Sequence, residues 1–151
     1  MTFPTLSGLH LPESWAVTDR PVSRTRTEYV LRPPDSEEVI VIVERCGSGR
    51  LAEAYPVSTH DIEVQVSAAR PGVLTLVLQQ VAAAAQQDDP LCRRVVFAAP
   101  VRDLSVIAAA EQAGFRYVID VDIPDGSVCL LVVEPAWVTR VDMDLDRVPQ
   151  S

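Results

Sequence analysis

The stretch DLSVIAAAEQAGFRYVID, residues 103–120, contains the start, the body and the end of one helix and the beginning of a strand. Asp103 is a residue type that accepts hydrogen bonds from the free N–H groups of a first helical turn. Gly114 stands where a helix ends in a left-handed residue, so that the next residue, Phe115, can pack back on the last turn. The pattern therefore predicts a helix over 103–113.

Three consecutive alanines, Ala108, Ala109 and Ala110, make one face of this helix nearly bare. We expect Phe115 to pack over Ala109 and Ala110, because small side chains leave room for its ring. A bare face also permits close approach of a sheet, a partner or a cofactor.

Regular apolar spacing extends on the N-terminal side of this stretch. DIEVQVSA alternates, which predicts a strand with Ile62, Val64 and Val66 on one face. The polar residues Glu63, Gln65 and Ser67 then face the other way. The segment RPGVLTLVLQQVAAAAQQ predicts an amphipathic helix, with apolar residues spaced as Leu74, Val77, Leu78, Val81 and Ala85.

Short β-rich runs predict the remaining strands. We expect strands near 26–32 and 38–45, a hairpin at CGSGR with a third strand in RLAEAYPVS, and a buried strand near 93–98. The runs FRYVIDVDI and SVCLLVVE predict two final strands joined by the turn PDG. The order is several antiparallel strands followed by β-α-β-α-β-β, which predicts one α/β (mixed α+β) domain over 1–151. An irregular lead-in (1–14) and an acidic tail (135–151) flank it.

Composition narrows the classes of partner. The formal charge of −8 makes nucleic acids and anionic membranes unfavourable partners. No window matches a membrane span or a secretory signal, so we expect a cytoplasmic protein. All basic residues are arginine, which excludes lysine Schiff-base chemistry. The absence of both lysine and asparagine suggests a bacterial genome rich in G and C.

Neither a disulfide framework nor a metal site is indicated. The three cysteines are far apart and form no CxxC pair, and their expected role is that of small buried apolar residues. His10 and His60 stand without clustered carboxylates, so we expect no metal.

The segment DLSVIAAAEQAGF resembles the C-terminal helix motif of the GCN5-related N-acetyltransferases, and RVVFAAP, RYVIDVD and the strand order over 25–134 agree. The resemblance implies a mixed, mostly antiparallel sheet with helices packed on it. It also implies acyl transfer from acetyl-coenzyme A, or another acyl-coenzyme A, to a small amine. Two positions depart from the family: Asp103 replaces an asparagine, and Ala110 replaces the tyrosine that protonates the departing thiolate.

The family's second motif is a loop, Q/R-x-x-G-x-G/A, whose backbone N–H groups hold the coenzyme A pyrophosphate at a helix start. Here the corresponding stretch is SAARPGVLTL. Arg70 matches the first position, while Val73 and Thr75 occupy the glycine positions. Gly72 comes one residue early, and Pro71 lacks an N–H group. The resemblance implies a pyrophosphate site at Arg70, Gly72, Val73 and Thr75.

The resemblance also implies roles for individual side chains and one backbone group. The N–H near Val66 would meet the thioester carbonyl, Glu63 would act as the base, and Tyr55 or Tyr117 would be a substitute acid. Asp103 and Ser105 would lie at the pantetheine arm. The competing interpretations are a solvated strand carboxylate for Glu63, an ordinary strand residue for Tyr117 and a helix-start residue for Ser105.

Three functions remain open at this point. The first is a coenzyme A-dependent N-acyltransferase. The second is a non-catalytic protein of the same fold that binds an acyl-coenzyme A or a protein partner. The third is a mixed-sheet interaction domain outside the family. The apolar final strand SVCLLVVE could pair with or pack against a second copy, which would give a homodimer.

Overall fold

The computed structural model describes residues 3–67 and 69–135. They form one seven-stranded sheet with two helices. The strands are β1 (Ala16–Ser23), β2 (Arg26–Arg32), β3 (Val39–Arg45), β4 (Ile62–Val66), β5 (Val95–Pro100), β6 (Arg116–Ile123) and β7 (Gly126–Val133). The helices are α1 (Pro71–Asp88) and α2 (Leu104–Gln112).

The strands lie in the order β1-β2-β3-β4-β5-β7-β6. Every neighbouring pair is antiparallel except β4 and β5, which are parallel and are connected through α1. The mixed, mostly antiparallel sheet and the C-terminal β-α-β-α-β-β order are therefore confirmed.

Both helices belong to the larger of two apolar clusters, which also includes one face of the sheet. The predicted apolar positions of α1 are all buried in it: Leu74, Val77, Leu78, Val81 and Ala85. Leu6, Leu9 and Leu11 of the irregular lead-in pack against the same cluster. Through this buried face, α1 packs against the first part of the sheet.

Strand β1 was not predicted because its sequence, AVTDRPVS, shows no apolar alternation. Every residue of β1 is exposed, since it is an edge strand that pairs only with β2. Pro21 is tolerated there, because an edge strand does not require every N–H group for pairing. The pairing is irregular between Pro21 and Ser23.

The predicted third strand in RLAEAYPVS and the predicted CGSGR hairpin are both wrong. The chain forms a 3-10 turn at Cys46–Ser48 and then irregular turns. Leu51 is fully buried in the second apolar cluster, and the hydroxyl of Tyr55 donates to Asp61 Oδ2 at 3.1 Å. These side chains anchor the segment by tertiary contacts, so it needs no strand pairing.

The final strand does not offer an edge to a partner chain. β7 lies between β5 and β6 and is paired on both sides, so SVCLLVVE has no free edge for pairing with a second copy, while packing against one stays a prediction. The sheet instead ends at β1 and β6. The predicted acidic tail, apart from Pro135, lies outside the described residues, and no helix of the described part is long and apolar enough to cross a membrane.

Candidate functional site

The end of α2 has the predicted geometry. Gly114 adopts a φ of 100°, its N–H donates to the Glu111 carbonyl at 3.0 Å, and the Phe115 N–H donates to the Ala110 carbonyl at 3.1 Å. These two bonds are those of a Schellman motif. The ring of Phe115 is buried and contacts Phe97 edge-on, with centroids 6.4 Å apart.

The small residues of α2 serve packing between the helices. Ala109 and Ala110 are buried in the core, whereas Ala108 is exposed. The hydroxyl of Thr75 on α1 donates to the carbonyl of Ala109 at 2.8 Å. Thr75 therefore lies inside α1 with its side chain bound to α2, and the structure does not place it in a phosphate-binding loop.

Strands β4 and β5 separate shortly after they meet. They pair only at Ile62 with Val95 and at Glu63 with Val96. The N–H of Ile62 points toward β5, donating to Arg94, while the N–H of Ser67 points toward β3. Because backbone groups alternate along a strand, the N–H of Val66 points toward β5, beyond the last pair. Val66 thus offers a backbone donor at the point of separation.

A cleft of about 430 Å³ opens between the separated strands and the starts of both helices. Three predicted binding residues, Val66, Asp103 and Ser105, line it. The remaining lining residues are Arg50, Gln65, Ser67, Ala69, Pro71, Leu74, Phe97, Ala98, Pro100 and Val106. The cleft therefore joins the free Val66 N–H to two helix N-termini.

The N-terminus of α1 presents uncapped backbone donors. Pro71 is the first helical residue, and the first helical bond is from the N–H of Leu74 to the carbonyl of Arg70 at 2.9 Å. The N–H groups of Gly72 and Val73 precede that bond, and no side chain caps the helix. A Cβ added at Gly72 would meet nothing within 4 Å. Such a helix start suits an anion.

Charges of both signs surround this helix start. The exposed Arg70 lies immediately before α1, and Arg70 and Val73 line a small pocket together with Glu37 and Glu38. The arginine and the backbone donors favour an anion, and the two carboxylates oppose one.

Asp103 caps α2 as predicted. Its Oδ1 accepts from the N–H of Val106 at 3.3 Å and from the hydroxyl of Ser105 at 2.9 Å. The capping bond fixes the carboxylate on the wall of the cleft, where it can accept a hydrogen bond from a ligand amide. Ser105 has both of the roles considered for it, as a helix-start residue and as part of the cleft wall.

Glu63 is buried in an ion pair that the sequence did not reveal. Its side chain is 1% exposed, and Arg50 Nη2 lies 2.7 Å from Oε2, with Arg50 Nε at 3.1 Å from the same oxygen. The interpretation as a solvated strand carboxylate is therefore wrong. Burial raises the pKa of Glu63, and the hydrogen bonds and charge of Arg50 oppose that rise.

The ion pair is part of a longer network on the sheet face opposite the helices. Glu44 stands directly across from Glu63 on β3 and is paired to Arg26 at 3.2 Å. Arg50 Nη1 also approaches Asp125 Oδ2 at 3.4 Å. The two arginines balance carboxylates that would otherwise repel one another. Sequence alone gave no sign of Arg50, because its segment has no periodic pattern.

The structure does not bring Tyr117 to the cleft. It lies half-exposed on β6, and β7 separates β6 from β5. Since neighbouring strands are about 4.8 Å apart, Tyr117 is about two strand spacings from the cleft wall. Ala110, which the motif resemblance matched to a tyrosine, is 0% exposed and also does not line the cleft.

A second buried ion pair anchors the segment before β4. Arg45 is 2% exposed, and its Nη1 lies 2.9 Å from Asp89 Oδ2 and donates to the carbonyl of His60 at 2.8 Å. The ring of His60 contacts the same carboxylate oxygen at 3.2 Å. His60 therefore has a structural role, joining the end of α1 to the approach to β4.

The cysteines are buried, as expected of small apolar residues. Burial raises the pKa of Cys92 to about 12. A thiol with so high a pKa is almost entirely protonated near neutral pH and is a poor nucleophile.

Comparison with known proteins rests on structure alone, since no family model and no curated protein sequence matches the chain. An uncharacterized protein from Bacillus halodurans aligns with 19% identity and a TM-score of 0.67, over 75% of this chain and 61% of that one. AAC(6')-Ib, in complex with paromomycin and acetyl-coenzyme A, aligns with 17% identity and a TM-score of 0.63, over 77% of this chain and 68% of that one.

A third solved structure is the GNAT domain of PAT from S. lividans, with 20% identity and a TM-score of 0.53, over 74% of this chain and 61% of that one. The chain thus spans less than two thirds of the Bacillus halodurans and S. lividans proteins. At these identities the similarity is one of fold. The chain has the fold of the GCN5-related N-acetyltransferases.

Proposed function

We propose that the protein transfers an acyl group from acetyl-coenzyme A, or another acyl-coenzyme A, to the amine of a small molecule. The observation that carries the proposal is the cleft between β4 and β5, which joins the Val66 N–H to the start of α1. Solved proteins of this fold include AAC(6')-Ib with acetyl-coenzyme A and RimJ of Mycobacterium smegmatis with CoA-disulfide.

The residues of the cleft and of the adjoining start of α1 fit the parts of such a donor. Gly72 and Val73 offer two backbone N–H groups to a pyrophosphate, with Arg70 beside them. Open space at Gly72 allows a phosphate to approach the backbone. Asp103 and Ser105 supply acceptor and donor groups for the amides of a pantetheine arm.

When bound, an acyl-coenzyme A supplies a thioester carbonyl carbon to which the amine nitrogen bonds as the carbon–sulfur bond breaks. The Val66 N–H would stabilise the negative charge that develops on the carbonyl oxygen. A thiol of ordinary pKa, about 8.5, can depart as a thiolate, so the absence of a tyrosine at Ala110 does not prevent release.

Glu63 would take the proton that the amine loses. Its raised pKa brings it closer to the range in which a general base works near neutral pH. Because Arg50 covers the carboxylate, the proton would reach Glu63 through a bridging water molecule.

Thermal unfolding with acetyl-coenzyme A and longer acyl-coenzyme A compounds tests the donor site. A ligand at 100 times its Kd would stabilise the fold by about 2.7 kcal/mol, and no shift with any of them would refute the proposal. Thiol release with a panel of amines then tests transfer. Stabilisation without thiol release would support the non-catalytic alternative.

The variant Glu63→Gln tests the base. We expect it to reduce kcat while leaving the shift with acetyl-coenzyme A intact. The matched control is Glu28→Gln, because Glu28 pairs with Arg20 on an exposed part of the same sheet face. Equal turnover by the two variants would remove Glu63 from the mechanism.

A further inference from the structure

The charged group that faces the back of the cleft is the guanidinium of Arg50. Arg50 lines the cleft and its side chain is 27% exposed, whereas Glu63 does not line the cleft and is 1% exposed. The buried carboxylate holds the guanidinium from one side, through Nε and Nη2. Glu63 does not engage Nη1, and Arg50 lines the cleft, so the Nη1 donors are the ones that can reach a ligand there.

The remaining contact of this guanidinium is weak. A guanidinium has five N–H donors, and Nη1 meets only the Oδ2 of Asp125, at 3.4 Å, among the described residues. The side chain of Asp125 is 77% exposed. A long, solvated pair of this kind contributes little, so a ligand can replace it.

The charges of the cleft wall are arranged on two sides. Gln65 and Ala98 continue the register of the pair Glu63 and Val96, so they lie on the sheet face that carries Arg50 and its partner. Among the described residues, Asp103 supplies the one carboxylate of the cleft lining. It lies at the start of α2, and its Oδ1 already accepts hydrogen bonds from Ser105 and Val106. Near Arg50, the cleft wall carries the guanidinium, the side-chain amide of Gln65 and the small side chain of Ala98.

We propose that the acceptor is an amine that also carries a carboxylate, and that Arg50 binds this carboxylate. The inference rests on the proposed acyl transfer and goes further by naming the chemical class of the acceptor. A guanidinium held from one side is already oriented, and its planar fork matches the two oxygens of a carboxylate. Conversely, a polycationic amine would meet a like charge at this wall.

Paired acceptors test the inference. Glycine, β-alanine and 4-aminobutyrate are compared with methylamine, ethylamine and propylamine, which lack the carboxylate. In the unmodified protein we expect kcat/KM to be about tenfold higher, or more, for the carboxylate-bearing member of the preferred pair. Arg50→Gln should bring the ratio near one, and Arg50→Lys should retain part of it. The control Arg20→Gln, in an exposed Arg–Glu pair, should keep the full ratio.

Two results would overturn the inference: equal kcat/KM within every pair, or a ratio unchanged in Arg50→Gln. Loss of Arg50 leaves Glu63 buried without its partner, so the double variant Arg50→Gln, Glu63→Gln is compared in a binding assay that does not need turnover. Calorimetry with coenzyme A present would measure N-acetyl-β-alanine against N-ethylacetamide. Tighter binding of the acid, lost in the double variant, supports the inference, and equal binding of both compounds refutes it.

The two proposals fail differently in these assays. Failure of acyl transfer itself appears as no stabilisation by any acyl-coenzyme A. Failure of the acceptor inference appears as stabilisation and turnover, or product binding, without any preference for the carboxylate.

Discussion

The backbone N–H of Phe115 donates to the carbonyl of Ala110, and this 3.1 Å bond closes α2 with Ala110 facing the core. Because Ala110 is fully buried, a larger side chain there would meet packed atoms rather than the cleft. Ala110, which the motif resemblance matched to a tyrosine, is thus a packing position here.

We therefore expect Ala110→Tyr to destabilise the protein by about 1–3 kcal/mol through overpacking and not to raise turnover. Urea unfolding measures the first effect and thiol release the second. Ala108→Tyr is the matched control, since Ala108 is exposed on the same helix. A stable Ala110→Tyr variant with faster thiol release would contradict this account of α2.

Gly72→Ala separates folding from donor binding. The new Cβ meets nothing in the protein, and replacing a helical glycine by alanine stabilises a fold by about 0.4–1 kcal/mol. If a pyrophosphate approaches these N–H groups, the same Cβ should weaken binding of acetyl-coenzyme A.

Compared with the unmodified protein, we expect Gly72→Ala to have a higher melting temperature without ligand. Its increase in melting temperature with acetyl-coenzyme A should be smaller, and one thermal unfolding series measures both effects. Gly126→Ala provides a contrast, because Gly126 has a φ of 135° and alanine would be strained there. An undiminished ligand shift in Gly72→Ala would move the pyrophosphate away from the start of α1.

The pH dependence of kcat/KM should report Glu63. A base works only when ionised, and burial raises the pKa of Glu63 above its ordinary 4.5, so activity should rise with pH through a value above 4.5. Arg50 lowers this pKa, and Arg50→Gln should therefore shift the acidic limb to higher pH.

Arg20→Gln should leave the limb where it is, because Arg20 pairs with Glu28 on an exposed part of the sheet. An acidic limb that stays in place in Arg50→Gln would show that another group controls it.

Asp89→Asn should weaken the anchor before β4. Burial alone would raise the pKa of Asp89, but hydrogen bonds from His60 and Arg45 hold it below its ordinary 3.8. The ionised carboxylate therefore stabilises the fold above pH 3.8, and this contribution is lost as the pH falls through the lowered value.

Near neutral pH we expect Asp89→Asn to cost about 1–3 kcal/mol, because the buried Arg45 loses its charged partner. Asp88→Asn is the control: its side chain is exposed to the same extent, 15%, but it pairs with the exposed ring of His10 rather than with a buried cation, so it should cost only about 0–1 kcal/mol. Urea unfolding at several pH values measures both, and equal losses in the two variants would contradict the role given to Arg45.

The sequence by itself determined the elements that alternate or repeat. The β4 pattern, the α1 stripe and the Asp103 to Phe115 cap and stop each follow from contacts within a few residues along the chain, so local spacing was enough to predict them. The same residues also indicated the fold through resemblance, and the structure agrees with it.

Only the tertiary structure decided which charges meet and which side chains reach the cleft. Arg50 and Glu63 are thirteen positions apart and come from an irregular segment and a strand, so no periodicity connects them. Tyr117 is moved away by the insertion of β7 between β5 and β6, and Thr75 is turned toward Ala109 by helix packing. Local patterns determine which face of an element is buried, but the neighbours on that face are set by sheet order and packing between distant segments.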